Sequence, residues 1–203
     1  MEWDADAALG LGYDSNLGRA ASEEDRRGDA AVLASGSLGA STQISDDDRL
    51  RAWLGAEGEA RFRYTGLSEV AISVNSQWRH KFGLGLGAPS ATVVGTAQYI
   101  DSHDPLRDGW RFVVEASLAR RFSEQVELIG GASYERRLAG DFPLVPGISG
   151  AAFDLVGFNA FVQGSYALDE AWLLGAQYNV RRGDVVSVSQ RGPAIFFASS
   201  AIA

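Results

Sequence analysis

The stretch "RLRAWLGAEGEARFRYTG" (residues 49–66) decides the fold. Every second residue from Leu50 is uncharged and mostly apolar: Leu50, Ala52, Leu54, Ala56, Gly58, Ala60, Phe62 and Tyr64. The intervening set, Arg49, Arg51, Trp53, Gly55, Glu57, Glu59, Arg61 and Arg63, is mostly charged. Period 2 argues a β-strand, because successive side chains point to opposite faces. A long strand with one oily face and one ionic face is what a membrane-spanning barrel requires.

The alternation repeats along the chain. Nine strands are expected, at about 2–14, 30–44, 49–66, 69–86, 91–101, 109–122, 125–138, 152–167 and 171–181. Leu9, Leu54, Val74, Val114, Leu128 and Leu174 fall on their oily faces. Tight turns are expected at 45–48, 87–90, 123–125 and 168–170, and they alternate with longer connections. "TGLS" (65–68) is the short exception on the long side. Short turns at one rim and long loops at the other are the pattern of an outer-membrane barrel.

The oily faces place aromatic residues near both strand ends. One girdle would hold Trp3, Phe82, Phe122, Tyr166 and Trp172. The other would hold Tyr13, Phe62, Tyr64, Tyr99, Trp110 and Tyr178. Amphipathic rings sit well at the two membrane interfaces. Arg120 and Arg136 also fall on the oily side, near strand ends where a long side chain can snorkel. His80 falls there too, and the pattern gives no reason for it. The competing reading is a soluble β-sandwich or lipocalin-like barrel with Leu50, Leu54 and Phe62 in a dry core. Strands of 11–18 residues are long for that class.

Composition narrows the function. The 203 residues suffice for one domain, 1–203. There is no Cys, which excludes disulfides, and two His make a transition-metal site a poor expectation. The net charge of -8 argues against a nucleic-acid partner. No apolar run is long enough for a transmembrane helix. "MEWDADA" lacks the positive n-region of a signal peptide, so an exported protein would be represented here in a mature or excised form carrying an added start Met.

"LGLGYDSNLGRA" (9–20) resembles the opening strand of many Gram-negative outer-membrane barrels. Some are free-standing porin-like proteins, and others follow a helical repeat domain, as in the surface lipoprotein assembly modifiers. "SYALDEAWLLGAQYNVRRGDVV" (165–186) is similar to their strand–turn–strand repeats. The resemblance implies the fold and a bacterial outer-membrane location, and assigns no site residue.

The fold expectation is therefore all-β: an antiparallel up-and-down transmembrane β-barrel of about ten strands. "GPAIFFASSAIA" (192–203) would supply the tenth, although its alternation is poor. The alternative is a twelve-stranded barrel truncated at the C-terminus, since such barrels have even strand numbers.

The charged faces would line a lumen. The expected lining is Asp29, Arg51, Glu57, Glu59, Arg61, Arg63, Glu69, Arg79, Arg111, Glu115, Arg121, Glu127, Glu135, Arg137, Asp154 and Arg181. The signs nearly balance, which suits a network of pairs better than a selective pore. Turn arithmetic predicts an ion chain Asp29–Arg63–Glu69, and places Arg121 opposite Glu127. An enzyme of the omptin type would use Asp101 and His103 of "DSHD", but no opposing acid pair accompanies them. "SDDDR" (45–49) reads as a turn rather than a Ca²⁺ loop. No catalytic residue, metal or cofactor is assigned. The expected partners are the lipid bilayer and other cell-envelope or surface proteins. The expected function is a non-enzymatic small pore or structural scaffold. The alternative is the membrane anchor or translocation barrel of a larger export assembly.

Overall fold

A computed structural model describes residues 1–17, 27–103, 108–140, 154–169 and 172–184. Nine strands occur in them: β1 (Glu2–Asp14), β2 (Asp29–Gln43), β3 (Asp48–Arg61), β4 (Glu69–Lys81), β5 (Ser90–Ser102), β6 (Gly109–Arg121), β7 (Val126–Ala139), β8 (Leu155–Ala167) and β9 (Leu173–Gly183). They form one antiparallel up-and-down sheet in the order β1 to β9. β1 and β9 are its edges, and no ladder joins them among the described residues. The expected tenth strand lies outside the described residues.

The connections alternate between the two ends of the sheet. One end carries 44–47, 82–89, 122–125 and 168–172, and the other carries 15–28, 62–68, 103–108 and 140–154. Two expectations need correction here. β3 stops at Arg61 rather than Gly66, because the carboxylate of Asp29 accepts the backbone N–H groups of Arg63 (3.1 and 3.0 Å) and Tyr64 (2.8 Å). A 3₁₀ turn, Thr65–Leu67, follows. The "TGLS" connection is thus a loop of 62–68, and Tyr64 sits in it rather than on a strand. β4 stops at Lys81 rather than Leu86. Gly83 and Gly85 take φ of +101° and +89°, a left-handed backbone that a strand does not contain and that glycine tolerates. Leu84 and Leu86 alternate in sequence without forming a strand.

The end with the longer connections is tied by aspartates. Beyond Asp29, Asp108 accepts the N–H of Ser102 (2.6 Å), Asp154 that of Ala139 (2.8 Å) and Asp184 that of Val156 (3.0 Å). Each satisfies a backbone donor where the ladder runs out. Asp154 therefore caps β7 from a position before β8 and does not belong to the charged face, a correction to its expected role.

The single sheet leaves no second layer, so the two-layer sandwich is excluded for the described strands. Leu50, Leu54 and Phe62 are exposed, as are Leu9, Val74, Val114, Leu128 and Leu174. The burial is inverted from that of a water-soluble core. Leu9 and Leu11 are 81% and 83% exposed, whereas Asn75 and Gln98 on the other face are 6% and 5% exposed. A flat single sheet would expose both faces alike. The sheet therefore curls with its polar face on the concave side.

Candidate functional site

The concave polar face is the candidate site. The strand ladders place Arg51, Glu57, Glu59 and Arg61 of β3 on the same face as Glu69 and Arg79 of β4. Arg111, Glu115 and Arg121 of β6 join Glu127, Glu135 and Arg137 of β7, and Arg181 of β9 follows. Asp29 begins β2 on this face.

Like charges stand directly opposite one another in four places: Asp14 with Asp29, Arg49 with Arg79, Glu59 with Glu69, and Arg111 with Arg137. Directly opposed like charges destabilise a sheet. Several members of these pairs turn to acids or bases elsewhere. Arg49 reaches Glu2 of β1, and Arg51 reaches Asp4 of β1. Glu59 pairs with Arg61 along its own strand. Arg111 Nε donates to Glu135 Oε1 at 2.9 Å.

The Arg111–Glu135 contact belongs to a longer chain. Glu57 of β3 accepts from the amide of Gln98 on β5. Arg111 of β6 donates to Gln98 Oε1 at 3.3 Å and to Glu135 of β7. Arg181 of β9 approaches Glu135 at 3.7 Å. Strands two apart in a flat sheet are roughly 10 Å from each other. The Glu57–Gln98, Arg49–Glu2, Arg51–Asp4 and Arg181–Glu135 contacts all cross that gap, which the curl narrows on the concave face. A second polar thread fills the middle of the face: Asn75 donates to Ser73 Oγ (2.9 Å) and accepts from Thr96 Oγ1 (2.8 Å).

Two aromatic residues also occupy the polar face. Trp53 lies there with the Arg51 guanidinium 4.8 Å from its ring centroid. Phe161 lies against Gly131, where a Cβ would come within 2.7 Å of the Phe161 ring and 2.8 Å of the Ala116 carbonyl oxygen. An open hollow of about 470 Å³ remains, lined by Leu33, Ser35, Glu57, Glu59, Glu69 and Ala71 among others.

The expected ion chain Asp29–Arg63–Glu69 does not form. Asp29 meets the Arg63 backbone, not its guanidinium, which lies 5.2 Å from the Tyr64 ring centroid. Glu69 stands opposite Glu59, because the longer loop shifts the register by four in residue sum. Arg121 does stand opposite Glu127, but the two make no ion pair. Arg79 donates to Ser90 Oγ at 3.5 Å, and Glu115 stands between Val94 and Ser133.

On the apolar face, Trp3, Tyr13, Tyr99, Trp110, Phe122, Tyr166 and Trp172 are exposed at or beside strand ends, and Phe82 is exposed in the connection after β4. Tyr178 is exposed at the centre of β9, opposite Val162, rather than at an end. His80 acquires a physical account. Its Nδ1 and Trp78 Nε1–H both reach Asp48 Oδ1 at 2.9 Å, while Ser45 Oγ donates to Asp48 Oδ2 at 2.7 Å. The His80 ring stacks on Trp78 at 5.8 Å and meets Phe82 edge-on at 4.6 Å. Alternation alone puts Asp48 one residue before the quoted stretch, so the partner of His80 was invisible to it.

Asp101 and His103 make no hydrogen bond with each other. His103 N–H donates to the Ser68 carbonyl, and Asp101 is exposed opposite Val70. No group of three or more potential metal ligands occurs among the described residues. No protein-family model, curated protein or solved structure matches the chain.

Proposed function

We propose that the protein is an integral bacterial outer-membrane β-barrel, non-enzymatic, whose polar face surrounds a narrow lumen and which serves as a structural scaffold or small pore. One observation carries the reading: on all nine strands the large apolar side chains of one face are exposed, while most of the opposite polar face of β3 to β8 is buried or half-buried. Water-soluble monomers rarely leave more than a few hundred Å² of contiguous apolar surface bare. In lipid that surface needs no cover. A closed barrel also satisfies every backbone group internally.

Closure in this reading takes about ten strands. The continuous chain from Glu57 to Arg181 favours a lumen crossed by side chains over a wide channel. Ten strands enclose a space that side chains largely fill.

The test is co-flotation of the refolded chain with lipid vesicles, followed by single-channel recording. Flotation resistant to carbonate and urea, with small or no conductance, is the expected result. A chain that stays soluble and monomeric without detergent would end the membrane reading. Large, steady conductance would end the scaffold.

A further inference from the structure

Within the nine strands the apolar face carries six charged or histidine side chains: Asp48, His80, Asp101, Arg120, Arg136 and Arg182. Asp48 and His80 bond each other, and Arg120 lies 5.2 Å from the Phe122 ring centroid near the end with shorter connections. Arg136 and Arg182 sit near the opposite end. Both are exposed, and neither forms an ion pair among the described residues.

The register brings these two together around one strand. Arg136 of β7 stands opposite Val156 of β8, and Arg182 of β9 stands opposite Phe158 of β8. They therefore flank β8 from its two neighbours, one at each side of exposed Val156 and Phe158. The Phe158 ring packs 5.0 Å from Tyr134, which continues the apolar surface away from the strand ends. Strands two apart lie roughly 10 Å from one another, and the two arginines are staggered by two residues along β8, so roughly 12 Å separates their backbones, a gap that two arginine side chains can close over a tetrahedral anion. The nearest acids on the sheet's end, Asp154 and Asp184, accept backbone N–H groups of Ala139 and Val156.

We propose that Arg136 and Arg182 hold the phosphate of a lipid headgroup over β8, with its acyl chains lying along Phe158, Tyr134 and Val156. The proposal rests on the membrane reading. Charge complementarity selects the ligand: two neighbouring cations bordered by apolar and aromatic surface match an anionic head on an oily tail. Guanidinium forks favour phosphate oxygens through paired hydrogen bonds. Snorkelling alone would account for either arginine singly. It does not account for two of them placed about one strand at the same end.

The experiment uses the full chain in a neutral detergent, titrated with dioctanoyl phosphatidic acid and followed by native mass spectrometry. Dioctanoylglycerol and inorganic phosphate serve as the other two probes. The wild type should bind phosphatidic acid about tenfold or more tightly than Arg136→Gln/Arg182→Gln, since more than one charge-assisted bond is lost. Arg120→Gln should bind as the wild type does. Arg136→Lys/Arg182→Lys, which keeps both charges, should bind with intermediate affinity, and guards against misfolding of the double glutamine variant. Dioctanoylglycerol should not separate the variants. Equal phosphatidic acid binding by wild type and double variant, in protein that co-floats with phosphatidylcholine vesicles, overturns the site and spares the membrane reading. Failure to co-float overturns both. Inorganic phosphate binding as tightly as phosphatidic acid overturns a lipid as the ligand.

Discussion

Arg111 reaches diagonally to Glu135, with Nε 2.9 Å from Oε1, and not straight across to its register partner Arg137. The same carboxylate faces Arg181 from two strands away. Glu135 is thus the acid on which the chain Glu57–Gln98–Arg111–Glu135–Arg181 turns. Its replacement by Ala should destabilise the folded protein by about 1 kcal/mol or more, because a half-buried guanidinium loses its acceptor. Arg181→Ala breaks only the 3.7 Å contact of a side chain that is 54% exposed. It should cost no more than about 0.5 kcal/mol. Urea unfolding of both variants in the same vesicles measures the difference, and equal costs would contradict the network.

Gly131 predicts a steric effect on the same face. A methyl group there would meet the Ala116 carbonyl oxygen at 2.8 Å, and backbone cannot step aside as a side chain can. Gly131→Ala should cost about 1–3 kcal/mol, as overpacking does. Gly130 is its control on the apolar face, where the nearest atom to an added Cβ is 3.9 Å away. Gly130→Ala should leave the unfolding midpoint near that of the wild type.

Asp48 ties the first residue of β3 to the last turn before it and to the end of β4. Its carboxylate takes bonds from Ser45, Trp78 and His80. Asp48→Ala should lower the thermal midpoint and blue-shift or broaden the emission of Trp78, read as a difference against Trp78→Phe. Asp46→Ala, two residues earlier in the same turn, removes a side chain with no such bonds and should change neither.

Most of the fold was legible because alternation is a local signal. Leu54 and Glu57 declare their faces by parity alone, and the ladders agree. The turn arithmetic also placed Arg121 opposite Glu127, since a tight turn fixes register. It failed at Glu69, where Asp29 captures the Arg63 and Tyr64 amides and ends β3 early. That bond joins residues over 30 positions apart, beyond the reach of any local pattern. Leu84 and Leu86 misled for the converse reason: they alternate, but Gly83 before them and Gly85 between them leave the extended conformation. The candidate site was half visible. Its charged residues were named, but their partners were not. Glu2 and Gln98 matter because the sheet curls, and curvature is a property of nine strands together. Asp154 was misplaced because a carboxylate at a strand end serves the neighbouring backbone instead of the face.

Leu54 offers a test of the apolar face. It is 57% exposed and stands between Leu38 and Val74. If it meets lipid near the membrane midplane, Leu54→Arg should destabilise the inserted protein by about 2–4 kcal/mol. The same change on a water-exposed surface should cost within about 0.5 kcal/mol. Unfolding from phosphatidylcholine vesicles distinguishes the two.

In the proposed barrel the apolar face meets lipid and the polar face does not. The chain contains no cysteine, so single cysteines at positions 54, 55, 56 and 57 of β3 can each carry a nitroxide label without background. Paramagnetic relaxation in vesicles reports contact with lipid-soluble oxygen. High oxygen accessibility is expected at 54 and 56, and low accessibility at 55 and 57. Uniform accessibility along the four positions, or the opposite alternation, would contradict it.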